Sequence, residues 1–170
     1  WKWDGIRGQI IKRGNEVFVW SRGEELVTDK YPEFDNLVQL NSDFVIDGEI
    51  IPMMDGRPLP FNQLQTRIGR KKVSKKHLAD TPIYLIAYDL LEYNGQDIRE
   101  EPLTVRRQLL EELVSGFGID FNIVLSESIE FDDWDQLKKL RAESRSHFAE
   151  GLMLKMRNSS YLSGRKRGEW

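Results

Sequence analysis

Residues 7–21, RGQIIKRGNEVFVWS, decide the fold class. Two runs, 7–12 and 16–21, alternate apolar and polar side chains, which is the period of half-buried strands. The break between them carries Gly14-Asn15, so the stretch predicts an antiparallel hairpin. Working outward, DFVIDGEIIPM (43–53) is dense in β-branched residues and reads as a strand ending in the turn MDGR (54–57). TPIYLIAYDLLEYNG (81–95) reads as a buried strand closed by an Asn-Gly turn, and FNIVLSESI (121–129) and EGLMLKM (150–156) as further strands. Helices are expected over YPEFDNLVQL (31–40), with Pro32 in its first turn, and over FNQLQTRIG (61–69), ended by Gly69. EPLTVRRQLLEELV (101–114) sets apolar residues at 103, 105, 109, 110, 113 and 114, an amphipathic helix. DDWDQLKKLRAESRSHF (132–148) reads as a helix capped by Asp132 or Asp133, with Trp134, Leu137 and Leu140 facing inward. Strands and helices are interspersed, and the early hairpins favour an α+β fold of largely antiparallel sheets flanked by helices over a doubly wound one.

The chain has 170 residues, 39% hydrophobic and 31% charged, which describes one ordinary globular domain with a real core. Its longest apolar runs, such as IYLIAYDLL (83–91), fall far short of the about 20 residues that span a bilayer. No basic-then-apolar leader opens the chain, so the expectation is no membrane and a cytoplasmic, nucleoid-associated monomer. The absence of cysteine removes disulfides, zinc knuckles and thiol catalysis. Net charge is −3, which argues mildly against a nucleic-acid binder, but local charge argues otherwise. RIGRKKVSKK (67–76) carries Arg67, Arg70, Lys71, Lys72, Lys75 and Lys76 without an acid, and GRKRG (164–168) adds Arg165, Lys166 and Arg167. The first run is a candidate for nucleic-acid phosphate contacts; a pair of solvated faces is the plain alternative for both.

The chemistry starts at WKWDGIRG (1–8). Lys2, two residues before Asp4-Gly5 and five before Arg7, is either a surface lysine at a turn or a nucleophile held between a carboxylate and a phosphate-gripping arginine. Other charges fall on predicted strands. Asp47 and Glu49 flank Gly48 and share one face, because strand side chains repeat every two residues. Two such carboxylates repel unless a metal or bound donors use them. Tyr88 and Asp89 lie inside LIAYDLL, and Glu150 and Lys155 bracket EGLMLK. One chemistry fits them together. A lysine amine attacks phosphorus only when neutral, so its ordinary pKa of about 10.4 must fall through burial or nearby positive charge. Arg7, Arg22, Lys155 and a divalent cation on oxygen ligands such as Glu150 would supply that charge, and Tyr88 a face for a flat base.

These motifs, in this order, resemble those of covalent nucleotidyltransferases, and specifically the ATP-dependent DNA ligases of the bacterial single-polypeptide type. KWDGIR (2–7) resembles motif I, WSRGEE (20–25) the arginine motif that follows it, VIDGEI (45–50) motif III, LIAYDLLEYNG (85–95) motif IIIa and EGLMLK (150–155) motif IV. YLSGRKRGEW (161–170) resembles the approach to motif V. The resemblance implies an ATP-grasp-like nucleotidyltransferase fold and an adenylation domain core spanning 1–170. It implies that Lys2 takes AMP from ATP and passes it to the 5′-phosphate of nicked double-stranded DNA. Asp4 would support Lys2 and the metal, Arg7 would contact the ribose or 5′-phosphate side of the nucleotide, and Arg22 its phosphate. Glu49 would bind the ribose or a metal water, Tyr88 would stack on adenine, Glu150 would be the main carboxylate for Mg2+ or Mn2+, and Lys155 would face the α-phosphate. An adenine-reading residue before Trp1, the paired motif V lysines and a C-terminal OB-fold domain are expected in such a ligase and would lie outside this sequence. An RNA ligase or mRNA capping guanylyltransferase is the near alternative; a non-catalytic nucleic-acid-binding module is the distant one.

Overall fold

A computed structural model describes residues 1–70, 73–162 and 164, with Ile119 described by its backbone alone. Nine strands form in chain order: β1 (Lys2–Trp3), β2 (Ile6–Arg13), β3 (Glu16–Ser21), β4 (Phe44–Met54), β5 (Arg57–Pro58), β6 (Ile83–Tyr93), β7 (Gln96–Asp97), β8 (Ile123–Leu125) and β9 (Ala149–Gly151). Four α-helices accompany them: α1 (Phe61–Ile68), α2 (Lys75–Asp80), α3 (Leu103–Ser115) and α4 (Trp134–Ala142). The expected 31–40 helix forms as a 3-10 helix over Pro32–Gln39, with proline at its start. The main sheet runs β3-β2-β4-β6-β7, with β5 on β4 and β8 on β6, and a separate two-stranded sheet joins β1 to β9. Every pairing described is antiparallel except β6 with β8. The expected α+β fold with largely antiparallel sheets is the one observed.

The hairpin of residues 7–21 pairs Arg13 with Glu16 across Gly14-Asn15, and Asn94-Gly95 turns β6 into β7. Both residues of the second turn have positive φ, 48° and 81°, as a two-residue hairpin turn demands. Ile10, Phe44, Ile46, Ile50, Leu85 and Leu90 from the central strands pack with Phe34, Leu37, Leu64 and Leu110 in the main core. Gly48 makes the central pairing possible. A Cβ there would stand 2.7 Å from the Ile86 carbonyl oxygen and 2.7 Å from Leu85 Cγ. Gly48→Ala is therefore expected to destabilise the domain by about 1–3 kcal/mol, the usual cost of overpacking. At about 2–4 °C per kcal/mol for a domain of this size, a thermal melt resolves it. An unchanged melting temperature would mean that β4 and β6 separate there without cost.

Expectations change at the 150–156 strand and on the inward face of α4. β9 stops at Gly151 rather than running to residue 156. Residues 153–156 are exposed rather than buried in a sheet. Trp134 is 65% exposed and tilts against Phe131; of the three residues expected to face inward on α4, Leu137 is the buried one. Asp133, not Asp132, caps α4, accepting from the backbone N–H of Asp135 (2.9 Å) and Gln136 (2.8 Å). The basic run is partly helical: α2 starts at a Ser74–His77 capping box, with histidine where glutamate or glutamine is usual. Among the described residues no helix is long and apolar enough to cross a membrane.

Candidate active site

The site lies on one face of the central strands, where the small sheet meets the large one. β2 and β4 set Arg7 opposite Glu49 and Gln9 opposite Asp47, and β4 and β6 set Asp47 opposite Asp89. The β4–β6 register then jumps so that Gly48 faces Ala87, which leaves Tyr88 as the extra residue of a β-bulge. A bulge re-aims its side chain, and it places the Tyr88 ring beside the carboxylates.

Two carboxylates directly opposite each other on paired strands would repel. Each here has its own arginine fork. Arg7 donates to Asp47 Oδ1 from Nε (3.1 Å) and to Oδ2 from Nη2 (2.6 Å). Arg106, from α3, donates to Asp89 Oδ1 from Nε (2.8 Å) and to Oδ2 from Nη2 (3.1 Å). The Tyr161 hydroxyl donates to Asp47 Oδ2 at 2.8 Å and also accepts from Arg7. Gln9 points to the same hydroxyl, with Nε2 at 3.4 Å. The Asp47 fork holds the Arg7 guanidinium charged, its pKa raised well above the ordinary arginine value.

Among the described residues Glu49 has no such partner. Burial first, then the charge of Asp47, push its carboxyl up to about 7; Arg7 opposes them, and the smaller effects of Glu150 and Lys2 act in opposite directions. Lys2 itself donates to Glu150 Oε2 across the β1–β9 pair, and both side chains stay in solvent, 47% and 41% exposed. Asp4 is half-buried in the bend between β1 and β2. Arg22 is exposed, in a turn tied to β2 by its N–H donating to the Arg7 carbonyl at 3.1 Å. Tyr88 is deprotonated far less readily than a free tyrosine, through burial and then the charge of Asp47. Lys155 lies on its ring, Nζ 4.6 Å from the centroid, a contact worth about 0.5–1 kcal/mol at an exposed site. Although Lys155 as a residue is exposed, protein atoms crowd its ammonium and lower its pKa; Asp89 and Asp47 oppose that shift. A base stacking on Tyr88 must use the other face of the ring or displace Lys155.

The structure thus brings Lys2, Arg7, Glu49, Tyr88, Glu150 and Lys155 to one region, with Arg22 on the loop that follows β3. It changes the reading of the basic run. Arg67 is 3% exposed and forks Glu33 at 2.7 and 3.0 Å, with a further bond to the Thr81 carbonyl at 2.7 Å. It belongs to the core on the buried side of α1, not to a DNA face. Arg70, Lys75 and Lys76 are exposed; Lys71, Lys72 and Arg165–Arg167 lie outside the described residues. Sequence reasoning gave no role to Tyr161 or Arg106. The signal for Arg106 was present: it fills the i+3 position of the apolar stripe Leu103, Leu110, Leu113. Tyr161 meets Asp47 across 114 residues, and no local pattern announces that.

The model of the ATP dependent DNA ligase domain matches residues 1–170. A DNA ligase of Archaeoglobus fulgidus is 32% identical over 172 residues, covering 100% of this chain and 30% of that ligase. One from Haloarcula marismortui is 34% identical over 173 residues, with the same coverage of 100% and 30%. The ligase domain of M. tuberculosis LigD superposes with a TM-score of 0.76 at 29% identity, over 99% of this chain and 51% of that one. A mycobacterial DNA ligase D complexed with ATP and MES superposes with a TM-score of 0.77, also at 29% identity, over 99% and 50%. The chain spans about 30% of the length of the two archaeal ligases. With its whole length matched and its fold shared at this identity, the chain belongs to the family of ATP-dependent DNA ligase domains.

Proposed function

We propose that the chain is the adenylating part of a DNA ligase, in which Lys2 Nζ attacks the α-phosphorus of ATP. The N–P bond forms, the P–O bond to pyrophosphate breaks, and the lysyl-AMP then passes to the 5′-phosphate at a nick in duplex DNA. The observation that carries this reading is the contact of Lys2 with Glu150, beside Glu49 and the Arg7–Asp47 fork. Attack requires the neutral amine. Glu150 accepts a hydrogen bond from the Lys2 ammonium, so it is the base nearest the proton that must leave. Arg22 and Lys155 supply cations for the phosphates, Arg7 is fixed beside the sugar position by Asp47 and Tyr161, and Tyr88 offers the ring for adenine. Asp4, in the bend after β1, supports the placement of Lys2.

Mg2+ or Mn2+ belongs to this reading. Glu49, a half-buried carboxylate raised to about 7 by burial first, then by Asp47 and to a lesser degree by Glu150, is a site whose ionised form a cation would stabilise. Among the described residues no cluster of three or more acidic, histidine or cysteine groups gathers. Glu49 and Glu150 would therefore hold the ion together with substrate phosphate and water, as such hard cations prefer. When bound it neutralises triphosphate charge. Further domains of the same polypeptide, among them a C-terminal OB fold, would complete a monomeric, cytoplasmic ligase. The test is incubation of the full-length protein with α-labelled ATP and magnesium, followed by mapping of acid-labile label. Label on Lys2 supports the reading, and label elsewhere or from GTP alone overturns it. Sealing of nicked DNA in preference to nicked RNA tests the substrate.

The exposed cations of the 70–76 stretch belong to the same reading as duplex contacts. Replacing Arg70, Lys75 and Lys76 by alanine is expected to weaken binding to nicked duplex and to flatten its salt dependence. Each lost phosphate contact lowers the slope of log K against log salt by about 0.9. Labelling of Lys2 should stay within about two-fold of the parent, because phosphate contacts on duplex DNA position the DNA and take no part in the reaction with ATP. An unchanged salt slope would return this stretch to a solvated face.

A further inference from the structure

We propose that Arg106 is a positioning residue for the nucleotide pocket, fixing segment 155–161 so that Lys155 lies on Tyr88 and Tyr161 on Asp47. The inference rests on the adenylation reading above. Arg106 is 2% exposed and is the largest of the fully buried side chains. A simple ion pair with Asp89 would use two of its nitrogens. The third, Nη1, donates to the Ser159 carbonyl at 3.0 Å and to the Glu101 carbonyl. One planar fork thereby joins β6, the start of α3 and the segment, a geometry that lysine cannot reproduce.

The start of α3 adds to the hold. The first N–H groups of any helix lack partners within it, and Pro102 at the cap has no side chain to offer them. They go to the segment instead: Leu103 N–H donates to the Ser159 carbonyl at 2.9 Å, and Thr104 N–H to the Arg157 carbonyl at 3.1 Å. Tyr161 N–H donates to the Arg99 carbonyl at 2.7 Å. Residues 157–161 form no strand, so these bonds take the place of a sheet ladder. The segment's two functional side chains lie on either side of the held backbone. Lys155, two residues before Arg157, covers the Tyr88 ring. Tyr161, two after Ser159, bonds Asp47. Their targets are the neighbours of Asp89 itself: Tyr88 precedes it in β6 and Asp47 sits opposite it in β4. The Asp89–Arg106 fork therefore ties the floor of the pocket to its cover.

The test is the rate of Lys2 labelling against ATP concentration in the full-length protein, for Arg106→Lys, Tyr161→Phe and the double variant. Arg106→Lys is expected to raise KM for ATP by about 10-fold with a smaller fall in kcat, and Tyr161→Phe by less. The double variant should be no worse than Arg106→Lys alone, the signature of residues that act as one unit. Leu103→Pro covers the case in which Arg106→Lys does not fold. Proline is accepted at the first helical position, and Pro102 with ψ 144° already has the extended conformation a following proline needs. This variant removes one tether on Ser159, and it too should raise KM and couple to Tyr161→Phe. Additive effects in both pairs, or a lowered melting temperature with KM unchanged, would reduce Arg106 to a core ion pair. A parent protein that takes no label on Lys2 would overturn the adenylation reading and this inference with it.

Discussion

Lys2→Ala is expected to abolish covalent transfer of AMP, by at least about 10³-fold, while leaving the domain folded. The loss is of the bond-forming atom itself, so no neighbouring group recovers it. Arg7, Arg22 and Lys155 can still attract the triphosphate, and nucleotide binding should fall far less than labelling. The fold should hardly notice. The Lys2–Glu150 pair is nearly half in solvent on both sides, and such pairs contribute about 0–1 kcal/mol. A melting temperature within about 4 °C of the parent follows for a domain of this size. Measuring label and melting curve on one sample separates chemistry from folding. Label persisting on the 1–8 peptide of the alanine variant would show that another group is the nucleophile.

That the site can be argued at all from Lys2 outward reflects what a linear pattern can carry. The hairpin of 7–21, the long strands β4 and β6 and helix α3 are legible because their burial is periodic and their turns use Gly-Asn, Asp-Gly and Asn-Gly. Asp47 and Glu49 on one face follow from the same period. Their different fates do not follow from it: Asp47 receives Arg7 and Tyr161, whereas Glu49 has no arginine fork among the described residues. The misreading of Arg67 has the same root. In the sequence it opens a run of cations, but in the fold it is the buried residue three after Leu64 on α1, and Glu33 waits for it from the 3-10 helix. Removing one member of such a buried pair costs about 3–5 kcal/mol, so Arg67 acts on stability rather than on DNA. The short β9 was hidden because an apolar run shows that residues can be buried, not how far a strand extends along them.

Glu49→Gln should separate stability from function in opposite directions. An isolated glutamate titrates near 4.5, and burial beside Asp47 raises Glu49 to about 7. The folded state therefore holds a proton that the unfolded chain has lost between those two values, and stability falls as pH rises through that window. Above pH 7 the ionised carboxylate costs the fold about 3–4 kcal/mol, at about 1.4 kcal/mol per pKa unit. Glutamine keeps the shape without the charge. The variant should accordingly melt at the parent's temperature at pH 5 and about 5 °C or more higher at pH 8, given about 2–4 °C per kcal/mol. Magnesium should raise the parent's melting temperature at pH 8 more than the variant's, since a cation relieves the repulsion only where the charge exists. Labelling of Lys2 should fall by about 100-fold in the variant, the scale expected for loss of one preorganised electrostatic group. A functional site that stores such repulsion is less stable than the fold permits, which is the trade that a cation- or sugar-binding carboxylate imposes. The decisive measurement is the pair of melting curves at pH 5 and pH 8 without metal. Equal parent and variant temperatures at both would show that Glu49 ionises freely, and the case for a strained carboxylate waiting for its cation would fail.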